Sequence, residues 1–168
     1  MFISYSESWV SKMSKEKKYQ LMNNQLRALL AGEKNLIANL SNASALLFES
    51  LPEINWSGFY LFEESTQELV LGPFQGKVAC IRIEPGKGVC GTAFEQNNSI
   101  VVEDVNQFPG HIACDAASQS EVVVPLQTTG GKLIGVLDID APITNRFDET
   151  DRKYLEEFAS ILMETSVA

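Results

Sequence analysis

Two runs, Glu121-Val122-Val123-Val124-Pro125-Leu126-Gln127 and Lys132-Leu133-Ile134-Gly135-Val136-Leu137-Asp138-Ile139-Asp140, flank Thr128-Thr129-Gly130-Gly131. Each run is rich in β-branched and aliphatic residues, and the paired glycines between them suit a tight turn, so the stretch reads as a β-hairpin. It ends in a pattern that an ordinary core strand does not need. Asp138 and Asp140 are two residues apart, which puts both carboxyls on one face of the strand. Counting back from the turn brings Glu121 close to them across the ladder.

Outward from the hairpin, the rest of the chain supplies the other layers. Trp56-Ser57-Gly58-Phe59-Tyr60-Leu61-Phe62 reads as an aromatic strand with Trp56, Gly58, Tyr60 and Phe62 on one face and Phe59 and Leu61 on the other. Glu63 to Gln67 is its turn, and Glu68 to Gly72 the returning strand. Lys77 to Ile83 is expected as a third strand, Val89 to Gln96 as a short helix, and Ser99 to Glu103 as a strand. Asp104 to Ser120 is a long loop or short-helix region, and long loops of this kind form lids and binding loops in compact domains. Toward the N-terminus, Tyr19, Met22, Leu26, Leu29, Leu30, Ile37 and Leu40 recur at helical spacing from about Lys17 to Leu51, with a weak point at Gly32 and a stop at Pro52. Toward the C-terminus, Asp148 caps a helix to about Glu164 whose apolar stripe is Leu155, Phe158, Ala159 and Leu162, with Asp151 at a position where a carboxylate suits the helix dipole. The expected architecture is α+β: a central antiparallel sheet of about six strands, helices packed on one side, and a loop or lid on the other. Residues 1–18 read as a polar lead-in and 19–168 as a single domain.

The bulk numbers narrow the function. The chain has 168 residues, 45% hydrophobic and 21% charged, which suits one globular domain with its own core. Lys and Arg total 13 against 22 Asp and Glu, a formal charge of -9. That surface repels phosphate backbones and anionic lipid heads, so neither nucleic acid nor a membrane is an expected partner. No run reaches the roughly 18 apolar residues of a bilayer span, and the N-terminus lacks a signal peptide's apolar core, so the expected location is cytoplasmic.

Three cysteines stand out: Cys80, Cys90 and Cys114. An odd count at wide spacing fits neither a disulfide framework nor a zinc site. Cys90 follows Gly88 at the start of a short helix, where the dipole lowers a thiol pKa. Cys80 is expected in a strand near Arg82, and Cys114 in the long loop seven residues before Glu121. One reactive thiol with two others in reach is the minimal equipment for thiol redox turnover. Each can equally be an inert buried residue. The carboxyls Glu121, Asp138 and Asp140 have three readings: a strand reaching solvent, a site for a hard cation, or a crowded cluster in which one carboxyl keeps its proton and serves as an acid. Trp56 and Tyr60 are either core aromatics or the wall of a small pocket. His111, three residues before Cys114, is either an ordinary loop histidine or a partner to the thiol.

The chain resembles the free methionine-(R)-sulfoxide reductases, a family of enzymes built on the GAF fold. The resemblance runs from about Tyr19 to Leu162 and rests on Gln25-Leu26-Arg27-Ala28-Leu29-Leu30-Ala31-Gly32-Glu33, Asn55-Trp56-Ser57-Gly58-Phe59-Tyr60, Gly72-Pro73-Phe74-Gln75-Gly76-Lys77-Val78-Ala79-Cys80, Gly86-Lys87-Gly88-Val89-Cys90-Gly91, His111-Ile112-Ala113-Cys114-Asp115, Ser120-Glu121-Val122-Val123-Val124-Pro125 and Gly135-Val136-Leu137-Asp138-Ile139-Asp140. It implies that Cys114 is the catalytic cysteine, Cys80 the principal resolving cysteine, and Cys90 a further cysteine able to join recycling. It also implies that Glu121, Asp138 and Asp140 bind and activate the sulfoxide, with Trp56 and Tyr60 beside the substrate. No metal or other cofactor is implied. The implied partners are free methionine-(R)-sulfoxide, a thioredoxin-type dithiol and a second copy of the chain in a homodimer. The rival reading is a GAF small-ligand or redox sensor. Asn145-Arg146-Phe147-Asp148-Glu149 faintly resembles a motif of cyclic-nucleotide-binding GAF domains, although it also reads as a plain loop and helix cap.

Overall fold

The computed structural model describes residues 12–111, 114 and 116–166; the greater part of the 1–18 lead-in falls outside them, as do Ile112, Ala113 and Asp115. The N-terminal helical stretch is two helices. Helix α1 spans Lys15–Leu30 and α2 spans Leu36–Ser50. Each begins with a side-chain cap: Ser14 Oγ accepts from the Lys17 N–H, and Asn35 Oδ1 from the Ala38 N–H. Between them Gly32 takes φ +82°, a left-handed conformation that glycine adopts at little cost, and this is where the periodicity breaks. Of the residues in the expected stripe, Tyr19, Met22, Leu26, Leu30 and Leu40 are buried, but Ile37, in the first turn of α2, is 55% exposed.

Strands β1 (Trp56–Glu63), β2 (Glu68–Gly76), β3 (Arg82–Ile83), β4 (Ile100–Val102), β5 (Ser120–Gln127) and β6 (Leu133–Ala141) form an antiparallel sheet in the order β3-β2-β1-β6-β5-β4. The third strand is a correction to the expected Lys77–Ile83. Only Arg82 and Ile83 pair, with Val70 and Leu69, and Cys80 lies in irregular chain. Helix α3 covers Gly88–Gln96 and α4 covers Glu149–Ser166. At the start of α4, Asp148 Oδ1 accepts from the Thr150 and Asp151 N–H groups while Asp151 Oδ2 accepts from the Asp148 N–H, a reciprocal cap.

The alternation of β1 sorts its side chains into two apolar layers. Phe59 faces α1, α2 and α4 together with Val122, Val124, Leu137 and Ile139. Trp56 and Tyr60 point the other way, into a smaller cluster with Val123, Val136, Leu69 and Ile83, capped by Val89, Cys90 and Ala93 of α3. The long helices therefore cover one face of the sheet. The other face carries α3 and the loops, and the candidate site lies there.

Candidate active site

The β5–β6 hairpin sets the floor of the site. Its register pairs Glu121 with Asp140 and Val123 with Asp138, and on the other side of β6, Trp56 pairs with Asp140 and Gly58 with Asp138. The three carboxyls therefore share a face with Trp56 and Tyr60. All five residues line one hollow, together with Cys90 from α3, Cys114, His111 and Ser118 from the long loop, and Lys87 at the start of α3. Cys80 is bonded to Cys114, across 34 residues of sequence, with Cα atoms 5.4 Å apart. With that disulfide closed the hollow holds about 50 Å³, well below the several hundred Å³ of an ordinary ligand pocket.

Burial dominates the electrostatics. Asp138 is only 5% exposed, and its Oδ1 has no hydrogen-bond partner among the described residues. Burial and the neighbouring Asp140 charge raise its carboxyl to about 8, even though hydrogen bonding with Glu121 and Cys90 pulls the other way. Glu121 is likewise pushed far above the usual carboxylate range, by burial and then by Asp138. At neutral pH the cluster holds protons that carboxyls in water would have lost.

Cys90 is a free, buried thiol whose Sγ points at Glu121 Oε2, 4.0 Å away. The expectation of an acidic thiol at a helix start is overturned. Burial and the charges of Asp138, Glu121 and Asp140 hold this thiol well above its ordinary pKa, outweighing the dipole of a short helix. Nor does Arg82 serve a thiol: its guanidinium is bonded to Glu63, Thr66 and Glu68 on the exposed side of the β1–β2 turn. His111 lines the hollow half-buried, and burial lowers its pKa, so the imidazole is neutral at pH 7.

Of the residues singled out from the sequence, Cys80, Cys114, Glu121, Asp138, Asp140, Trp56, Tyr60 and Cys90 are all brought to this one place. Two contributors were not foreseen. Ser118 lines the hollow and accepts from Asn55 Nδ2 at 3.2 Å, which ties the return of the long loop to the start of β1. Lys87 adds a cation to the lining. Nothing in the sequence around Ser118 marks it, because its role depends on where the loop comes back to the sheet. The Asn145–Glu149 segment proves to be a cap: Arg146 binds Pro52 O and Asp151, Phe147 is buried in the core, and Asp148 starts α4. Among the described residues no helix is long and apolar enough to cross a membrane.

The arrangement can be set beside known proteins. The sequence profile of the GAF domain family matches residues 38–164. The chain is 60% identical over 148 residues to protein YtsP of Bacillus subtilis (strain 168), covering 88% of this chain and 90% of that protein. It is 52% identical over 150 residues to the free methionine-R-sulfoxide reductase of Escherichia coli (strain K12), covering 89% of each. A crystal structure of free methionine-R-sulfoxide reductase from Neisseria meningitidis in complex with its substrate superposes with a TM-score of 0.89 at 42% identity, covering 98% of this chain and 95% of that one. Likeness of this depth extends through the strands and loops that build the hollow, and on it the chain belongs to the free methionine-R-sulfoxide reductase family of GAF-domain proteins.

Proposed function

We propose that the protein is an L-methionine-(R)-S-oxide reductase that acts on the free amino acid through a cysteine sulfenic acid. The observation that carries this reading is the shared hollow, where a redox sulfur, Cys114, and the carboxyls Glu121, Asp138 and Asp140 open onto the same space. The substrate of the Neisseria meningitidis relative occupies a protein of the same fold, which supports placing the sulfoxide here.

In the proposed reaction the sulfoxide oxygen lies against the protonated cluster. Proton transfer to that oxygen makes the sulfur electrophilic, and the Cys114 thiolate attacks. The S–O bond of the sulfoxide is broken and oxygen ends on Cys114 as a sulfenic acid; the thiol is oxidised by two electrons and methionine leaves reduced. The Cys80 thiol then displaces that oxygen as water and closes the disulfide. A thioredoxin-type dithiol reduces the disulfide and returns both thiols. Trp56 packs beside the methyl group and Tyr60 beside the rest of the ligand. Cys90, protonated and buried, is held back from the first attack and enters only in recycling. Anionic carboxylates would oppose a thiolate at Cys114. A cluster that keeps protons at neutral pH lessens that opposition.

The reading includes a single catalytic domain over residues 19–168 with the N-terminal helices as part of it, a cytoplasmic location, and a homodimer. No cofactor enters the scheme. It is tested by assaying both free epimers and a sulfoxide-containing peptide side by side with dithiothreitol. The expected result is turnover of the free (R) epimer alone, lost in Cys114→Ser. Full activity in that variant would remove Cys114 from its role.

A further inference from the structure

The segment that carries Cys80 forms no helix or strand of its own. After Gly76 the chain leaves β2, and it rejoins a ladder only at Arg82. Its branched residues do not anchor it, since Val78 is 88% exposed and Ile81 is 67% exposed; Ala79 and Cys80 pack partly buried against the smaller cluster, and Ile81 O accepts from the Leu71 N–H at 2.8 Å. Yet a resolving thiol must stand at one place relative to Cys114, because a disulfide needs Cα atoms within a narrow span, roughly 4.4–6.8 Å. The observed separation is 5.4 Å.

Two side chains from the middle of the sheet reach this segment. The Trp56 indole Nε1–H donates to Lys77 O at 3.1 Å, and the Tyr60 hydroxyl donates to Cys80 O at 2.9 Å. The two bonds bracket the loop and end on the backbone of the cysteine itself. Both donors are rigid. They sit on the same face of β1, which pairs with β2 and β6, and both are almost fully buried. Their rings stack at 6.0 Å, and Phe74 also stacks on the indole at 5.1 Å. Gly76 completes the arrangement: it takes φ +130°, and a Cβ there would come within 2.7 Å of Trp56 Cδ1, so the chain turns out of β2 hard against the indole.

We propose that Trp56 and Tyr60 are positioning residues for disulfide closure, their polar edges holding the Lys77–Cys80 loop so that the Cys80 thiol meets the Cys114 sulfenic acid. This rests on the reading of the function above and deepens it, since the rings that border the substrate also fix the resolving cysteine. In the step concerned the Cys80 sulfur bonds to the Cys114 sulfur, the S–O bond breaks, and the hydroxide takes the thiol proton and departs as water. Fixing the two sulfurs makes this an intramolecular step of high effective concentration. A loose loop leaves the sulfenic acid waiting, open to trapping or further oxidation.

The test uses hydrogen peroxide as the oxidant, which forms the sulfenic acid without the sulfoxide or its binding. Reduced protein is oxidised with one equivalent of peroxide in the presence of dimedone. Mass spectrometry then reads how Cys114 divides between the dimedone adduct and the disulfide with Cys80. Tyr60→Phe is expected to shift that division toward the adduct by about tenfold, and Trp56→Phe, which also removes the donor and keeps a ring, to shift it the same way. General loosening lowers the thermal midpoint but does not alter the division well below it. Wild-type division in both variants overturns the proposal. If the wild-type protein yields no methionine from free (R)-sulfoxide, the reading of the function fails, and the peroxide division still decides the role of the two side chains.

Discussion

Glu121 and Asp140 stand directly opposite each other across the β5–β6 ladder, with Asp138 two residues along on the same face. Strand pairing forces these acids together, and Lys87 lines the same hollow. The pairing has a consequence for rate. Asp138 keeps its proton up to about pH 8 because burial and Asp140 penalise its charge. If that proton is delivered to the sulfoxide, the active form is present below this pH and is lost above it. Single-turnover release of methionine, measured so that the pH dependence of the external reductant does not enter, is expected to fall as pH rises through about 8. Asp138→Asn is expected to lower the rate roughly a hundredfold or more and to remove that limb, the magnitude usual for a lost general acid. A limb unchanged in position in the variant would assign the titration to another group.

The same raised pKa makes a prediction about stability. An unfolded carboxyl loses its proton near pH 4, whereas native Asp138 keeps it to about 8. Between those values the native state binds the extra proton, so its stability falls as pH rises through the window. Replacing the acid removes that slope. Asp138→Asn is expected to lose less stability than the wild type between pH 5 and pH 8, by up to about 1.4 kcal/mol per pH unit for the one proton, while being the poorer enzyme. Urea denaturation of both proteins at pH 5 and pH 8 measures it; equal pH slopes would mean that the native carboxyl titrates normally.

Much of this site can be read from local sequence, and the misses share a cause. The alternation of Trp56 to Phe62 assigns each side chain to its layer, and the Gly130–Gly131 turn fixes the register that brings Glu121 to Asp140. Both are short-range facts. Cys80 reads as strand because the run is apolar and carries the β-branched Val78 and Ile81, while the loop that holds them is set by indole and phenol donors about twenty residues away. The Cys90 thiol was expected to be acidic from its own helix. The groups that make it the reverse come from β5 and β6, more than thirty residues on. Ile37 keeps helical spacing but lies past the turn at Gly32, where α2 starts a new phase. Periodicity and turn chemistry are local, whereas burial and charge depend on which strands return to the same place.

The closed disulfide leaves too little room for an amino acid. At about 50 Å³ the hollow admits water but no ligand of methionine's size. Opening the Cys80–Cys114 bond is therefore expected to favour binding. Isothermal titration with methionine is expected to show binding to reduced Cys114→Ser, which cannot form the disulfide, and at least tenfold weaker binding to oxidised wild-type protein. Equal affinities would mean that the loop moves aside with the bond intact.

Resolution by Cys80 can be separated from the first chemical step. With no reductant present, Cys80→Ser is expected to release one methionine per protein, as the wild type does, because Cys114 needs no partner to attack. Turnover driven by a thioredoxin should then fall by about tenfold or more, since the sulfenic acid lacks its nearest thiol. The buried Cys90 does not restore it quickly, because its thiol is held protonated by burial and the carboxyl charges. Counting methionine released per protein, with and without thioredoxin, checks both halves, and an undiminished thioredoxin rate would assign resolution to Cys90.

On the opposite face of the sheet, Asp151 makes a prediction that should leave chemistry untouched. Its carboxylate is fully buried and accepts from Lys15 Nζ, from the Tyr19 hydroxyl, from Arg146 Nη1 and from the Asp148 N–H. It therefore joins α1 to the start of α4 and completes the cap of that helix. Removing it takes the carboxylate from a nearly buried guanidinium, which keeps its bond to Pro52 O, leaves Lys15 to its pair with Asp148, and leaves a buried phenol without its acceptor. Asp151→Ala is expected to cost about 3–5 kcal/mol, the range for breaking one side of a buried ion pair. Tyr19→Phe, which removes a single donor, should cost nearer 1 kcal/mol. At a temperature where both variants remain folded, methionine release per protein should match the wild type, because none of these groups lines the hollow. A large drop in that burst with folding intact would show that the two faces of the sheet are coupled. A loss below 1 kcal/mol for Asp151→Ala would mean that the cations find solvent without cost and that α1 is held by its apolar stripe alone.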